Sequence, residues 1–79
     1  MTEITQAQAE QALGKTIDDA VGGPASRNSN NRFRLKTGAA LMIARGPRQE
    51  WLVFLTGEEA QKRETLLRLE RGERDLAIW

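Results

Sequence analysis

The chain has 79 residues, no cysteine, no histidine and no tyrosine, and its 12 bases and 11 acids leave a net charge of +1. Those absences exclude disulfides, every Cys/His zinc site and the Ser-His and Cys-His nucleophile pairs. An enzyme would have to work with carboxylates, amines and hydroxyls alone, so the composition points to a non-catalytic protein without cofactor or metal.

A single core of this size buries only about 60–65% of the unfolded surface. A ligand cavity of roughly 300 Å³ would consume much of it, which puts function on a face or an edge. The opening MTEITQAQAEQALGK carries an acid at position 3 and no apolar run, unlike a signal peptide. The longest apolar runs, Ala39–Ala44 and Trp51–Leu55, fall far short of the ~18 residues of a membrane span. The expectation is one domain, residues 1–79, in the cytoplasm and away from membranes.

Charge is unevenly placed. Residues 1–26 set Lys15 against four acids, residues 27–56 set six bases against Glu50, and residues 57–79 are nearly balanced. Such asymmetry bears on partners and steering rather than on fold.

The spacing predicts a first helix over about 5–21. Thr5 and Gln8 form a capping box, with Ile4 placed to staple onto Ala9. Ala9, Ala12, Leu13, Thr16, Ile17, Ala20 and Val21 recur as one apolar stripe, and Gly22-Gly23-Pro24 ends it. Residues 22–31, rich in Asn and Ser, read as a loop. A three-stranded antiparallel meander follows over about 32–56. Its first strand, Arg32–Thr37, sends Phe33 and Leu35 to one face and Arg34 and Lys36 to the other. The second and third strands, Leu41–Arg45 and Trp51–Leu55, are apolar on both faces and joined by the turn Gly46-Pro47-Arg48-Gln49.

A second helix over about 57–71 starts at the capping box Thr56/Glu59. The pairs Glu58/Lys62, Glu59/Arg63, Glu64/Arg68 and Glu70/Arg74 support it, and Ala60, Leu66, Leu67 and Leu69 form a narrow stripe. The tail, residues 72–79, ends in Leu76-Ala77-Ile78-Trp79 and is too apolar to stand free; it forms a short strand or an anchored tail. The fold class is α+β.

Three apparent motifs dissolve on inspection. Gly14-Lys15-Thr16 imitates the end of a phosphate-binding loop, but position 9 is Ala where that motif needs Gly. Gln8 to Gly14 has the outline of the first half of a helix-turn-helix. Its second helix would offer Asp18 and Asp19 to phosphates and be cut short at Gly22-Gly23, so one continuous helix is the reading. Asp18-Asp19 and Glu58-Glu59 are helical neighbours about 100° apart, which do not converge on one proton or metal.

Two features keep chemical weight. One is the basic middle, Arg27, Arg32, Arg34, Lys36, Arg45 and Arg48. The other is the third strand, whose Trp51, Val53 and Leu55 face one way while Leu52 and Phe54, joined by Met42 and Ala44, face the other. Either the two helices cover opposite faces or one apolar face is left for a partner. The reading is a small binding protein that occupies a partner's surface, of the kind phages and mobile elements use to inhibit or regulate a host machine. Its expected contacts are Arg27, Arg32, Arg34, Lys36, Arg48 and Trp51. The alternative is a nucleic-acid-binding regulator using the Arg27–Lys36 arm. A homodimer through the second apolar face is a further arrangement the pattern allows.

Overall fold

A computed structural model describes residues 1–22 and 31–79. Among these, β1 (Thr2–Ile4), α1 (Gln6–Leu13), α2 (Ile17–Ala20), β2 (Asn31–Arg34), β3 (Ala40–Arg45), β4 (Trp51–Thr56) and α3 (Glu59–Glu70) follow one another along the chain. The strands form one antiparallel sheet in the order β1-β4-β3-β2. The α+β class and the β2-β3-β4 meander match the sequence reading.

The N-terminus differs from it. Thr2–Ile4 is a strand, pairing Thr2 with Leu55 and Ile4 with Val53, which makes the sheet four-stranded. Three residues carry almost no periodicity, so β1 exists because β4 offers it an unpaired edge, not because its sequence demands a strand. Thr5 then caps α1 as expected, its hydroxyl accepting from the Gln8 amide at 3.0 Å while the Gln8 side chain accepts from the Thr5 amide at 2.9 Å.

The continuous helix over 5–21 does not form. Gly14 adopts φ 74°, its amide donates to the Glu10 carbonyl, and α1 ends there. A side chain is disfavoured at that φ, and a Cβ on Gly14 would run into the Asp75 side chain. Thr16 restarts the chain as the cap of α2, accepting from the Asp19 amide at 3.2 Å. The apolar stripe survives the break: Ala9, Ala12, Leu13, Ile17 and Val21 are all buried.

The expected loop over 22–31 falls mostly outside the described residues, except that Asn31 already belongs to β2. That strand stops at Arg34 rather than Thr37, and Leu35 makes an isolated bridge to Ala77. Both hairpins share one loop design. Leu35 N donates to Ala39 O and Gly38 N to Leu35 O; likewise Gly46 N donates to Glu50 O and Gln49 N to Gly46 O. Each is a three-residue loop whose last residue is left-handed, Gly38 at φ 92° and Gln49 at φ 66°.

The second helix caps at Glu58 rather than Thr56, with the Glu58 amide donating to the Gln61 side chain at 3.0 Å. Of the four pairs read from spacing, Glu64 and Arg68 stand 3.9 Å apart. Lys62 turns instead to Glu59 at 3.0 Å, and Arg68 reaches past the helix end to Glu73 at 2.9 Å. The stripe is also shifted. Ala60 and Leu67 are exposed, while Lys62, Thr65 and Leu69 are buried. The helix packs across the end of the sheet rather than along a face. Gln61 lies against Gly38 and Gly57, and Thr65 Oγ1 is 2.6 Å from Thr37 Oγ1.

The tail is anchored on both sides. Asp75 and Leu76 amides donate to the Gln11 and Ala12 carbonyls, Lys36 N donates to Leu76 O, and Ile78 N donates to Arg34 O. It thus runs beside the end of β2 and the Leu35–Lys36 segment after it, and ties them to α1. The Gln11 side chain adds bonds to the Leu69 and Glu73 carbonyls at 2.9 and 2.7 Å.

Candidate functional site

Strand register assigns every sheet residue to a face, because facing partners share a side and neighbours along a strand alternate. On one side lie Ile4, Leu41, Ile43, Val53 and Leu55, each at most 8% exposed. Ala9, Ala12, Leu13, Ile17, Leu69 and Leu76 from the helices and tail join them in a single core. Both long helices therefore contribute to the same side.

The other side is built from the alternate residues. One row crosses all four strands as Arg32, Met42, Phe54 and Glu3. Beside it lies Ala44 with Leu52, and on its other side Arg34, Ala40 and Thr56. Met42, Ala44, Leu52 and Phe54 are half-buried, and none belongs to the core. Among the described residues no helix lies over them. The four side chains make one contiguous apolar group on that side of the sheet.

The patch is bordered by charge of opposite sign. Arg32 and Arg34, both exposed, stand on the β2 edge, and exposed Glu3 stands on the β1 edge. None of the three has an ion pair among the described residues. Thr56 Oγ1 is buried at the end of this face and has no hydrogen-bond partner among the described residues.

The expected contact residues do not gather in one place. Arg32 and Arg34 share the open face. Lys36 is exposed in the β2–β3 turn, and Arg48 is exposed in the β3–β4 turn at the opposite end of the strands. Trp51 faces the helix side, half-buried against the core, with the Arg45 guanidinium 3.8 Å from its ring centroid. Arg45 is further held by donating to the Gln49 carbonyl at 2.8 Å. Arg27 lies outside the described residues. The basic middle is therefore not one patch, since Arg45 and Arg32 occupy opposite faces.

Sequence reading named Met42, Leu52 and Phe54 as a second apolar set without counting them as contacts. It missed Glu3, for want of a strand to carry it. It also missed Trp79, which is 62% exposed, packs edge-on against Phe33 at 5.5 Å and carries the Lys15 ammonium 4.0 Å from its ring centroid.

Gly14-Lys15-Thr16 lines an open cleft of about 610 Å³ with Glu10, Gly72 and Arg74. Its backbone cannot act as a phosphate loop. The Gly14 amide closes α1, and the Glu10 carboxylate already accepts from the Ile17 amide at 2.9 Å. An internal carboxylate thus occupies the position an anion would take. Among the described residues no three carboxylates gather where they could hold a metal ion, and no helix is long and apolar enough to cross a membrane. One carboxyl group has a displaced titration: a hydrogen bond from Lys62, reinforced by its charge, holds Glu59 below its ordinary value.

No family model, curated protein or solved structure matches the chain.

Proposed function

We propose that the chain is a non-catalytic binding protein that acts by occupying the surface of another protein molecule, with the open sheet face as its contact. One observation carries this reading: Met42, Leu52 and Phe54 form an apolar surface outside the core while both long helices are committed to other contacts. Leaving that surface in water forgoes about 25 cal/mol for each Å² it could bury, a cost that a partner removes. The flanking Arg32 and Arg34 fit the polar rim of such an interface, where charge sets register and encounter rate more than affinity.

Site-specific photo-crosslinking tests the reading. A crosslinking residue at Phe54 captures protein, whereas the same residue at Arg63, exposed on α3, does not. Equal capture from both positions, or none from Phe54, overturns it. The nucleic-acid alternative predicts retention on random duplex or single strand that falls steeply between about 50 and 200 mM salt.

A further inference from the structure

The occupant of the open face is identifiable from the arrangement of its charges. We propose that it is the same face of a second copy of this chain, stacked so that Arg32 of each protomer meets Glu3 of the other. This rests on the reading of that face as a contact surface and names its partner.

The central row reads Arg32, Met42, Phe54, Glu3 from one edge of the sheet to the other. Two identical sheets can stack face to face about a two-fold axis running either along the strands or across them. An axis across the strands lays β2 over β2, so that Arg32 and Arg34 confront their own copies. An axis along the strands, passing between β3 and β4, lays β1 over β2 and β4 over β3. Arg32 then faces Glu3, Met42 faces Phe54 and Ala44 faces Leu52. The second arrangement pairs opposite charges at both ends, sets a methionine sulfur against an aromatic ring and a small residue against a large one. Like charges brought together across an interface are disfavoured, so charge selects the axis. The twist of stacked sheets offsets their strands by about 30°, and the length of the arginine side chain takes up the displacement at the row's ends.

The edges leave little room for a competing dimer. The tail bonds the end of β2 at Arg34 and the Leu35–Lys36 segment after it, and both edge strands are short, three and four residues. Short or covered edges resist strand addition.

The face is small. Strands about 4.8 Å apart and rising about 3.3 Å per residue give roughly 400 Å² per protomer. Roughly 800 Å² for the pair lies below the ~1,200 Å² at which stable interfaces begin. The dimer is therefore a dissociating one, its population rising with concentration.

Sedimentation and light scattering of the full chain, from about 10 to 500 μM, read this directly. The mass should climb from one chain toward two. Arg32→Glu and Glu3→Arg should each weaken association at least tenfold, and the double variant should restore it. Within one chain the two residues are about 14 Å apart, three strand spacings, so only an intermolecular pair explains rescue. A single-chain mass at every concentration overturns the proposal, as does a dimer indifferent to both charge reversals.

Peroxide oxidation of Met42, timed against exposed Met1, separates this failure from failure of the underlying reading. A monomer with Met42 oxidised as fast as Met1 has an open face whose partner is not a second copy. A monomer with Met42 protected has a closed face, and both proposals fall. Protection that appears only as the mass doubles, and is lost in Phe54→Arg, supports both.

Discussion

The two faces of this sheet are made by the same four strands, and β3 and β4 give apolar residues to both, yet the faces have opposite fates. Leu55 and Leu52 sit three residues apart in β4. Leu55 is fully buried beneath the helices, and Leu52 is half-buried and outside the core. Hydrophobicity along a strand therefore does not say which face is core. What decides is where the connections run. The chain leaves β1 at one edge and enters β2 at the other, and α1 and α2 lie on that crossing. The second long helix then goes to the end of the sheet, held there by Gln61 and Thr65, and nothing in the described chain returns to the other side.

The largest expected effect tests that difference within one strand. Leu55→Ala should cost about 2–5 kcal/mol of stability, the range for truncating a fully buried leucine. Leu52→Ala should cost less for the monomer, about 1–2 kcal/mol, because part of that side chain already meets water and it lies outside the core. Urea midpoints at low protein concentration measure both. Equal losses would mean that the second face is as much a core as the first.

A pair of threonines sharpens the contrast. Thr65 is fully buried, donates to the Gln61 carbonyl at 2.8 Å and is bonded to Thr37. Thr65→Val leaves the Thr37 hydroxyl without that partner and should cost about 1–2 kcal/mol. Thr56 has a buried hydroxyl with no partner among the described residues. Thr56→Val should cost nothing and is expected to raise stability, by up to about 1 kcal/mol. Thermal melts of the two valine variants should move in opposite directions; a shared direction would mean that the Thr56 hydroxyl is satisfied.

A smaller effect belongs to the hairpins that join these strands. Gln49 holds the left-handed conformation that Gly38 holds in the other loop. Gln49→Gly should stabilise by about 0.5–1 kcal/mol, and Gly38→Ala should destabilise by about as much or more.

The smallest effect is electrostatic and concerns the helix that closes the end of the sheet. Glu59 titrates below its ordinary value of 4.5 because Lys62 bonds and attracts its carboxylate. A carboxyl group with a lowered folded-state pKa adds stability that is present above its ordinary pKa and is lost as pH falls through the lowered one. The unfolding midpoint of the wild type should therefore drop slightly more than that of Lys62→Met on acidification below about pH 4.5. The carboxylate is fully exposed, so about 1 M salt should remove the difference. A difference that persisted in salt would point to burial rather than surface pairing.

The strongest periodic segments were legible without coordinates. Phe33/Arg34 alternation, the apolar β3 and β4 runs and the Thr5/Gln8 capping box all appear where their spacing placed them, because each depends on neighbours a few residues away. The break at Gly14 was not legible. The apolar stripe continues across it, and helical propensity alone tolerates one glycine at about 1 kcal/mol. What holds the break is the tail, far along the chain, whose Asp75 and Leu76 amides take the Gln11 and Ala12 carbonyls that a continued helix would use, while Asp75 leaves no room for a side chain at Gly14. Strand β1 was hidden for a similar reason, since three residues gain their ladder only from β4. Glu3 was missed with it.

Local chemistry thus determined that this chain makes a small sheet with two apolar faces, two capped helices and a basic centre. Only the tertiary structure decided that the helices leave one apolar face uncovered, and that a base and an acid end up at opposite ends of one row across it. Both outcomes depend on contacts between residues 2–4 and 53–55 and between the tail and α1. Pairings that distant carry no signature in either partner's own neighbourhood, because the loop-closure cost that opposes them and the burial that rewards them belong to the whole fold.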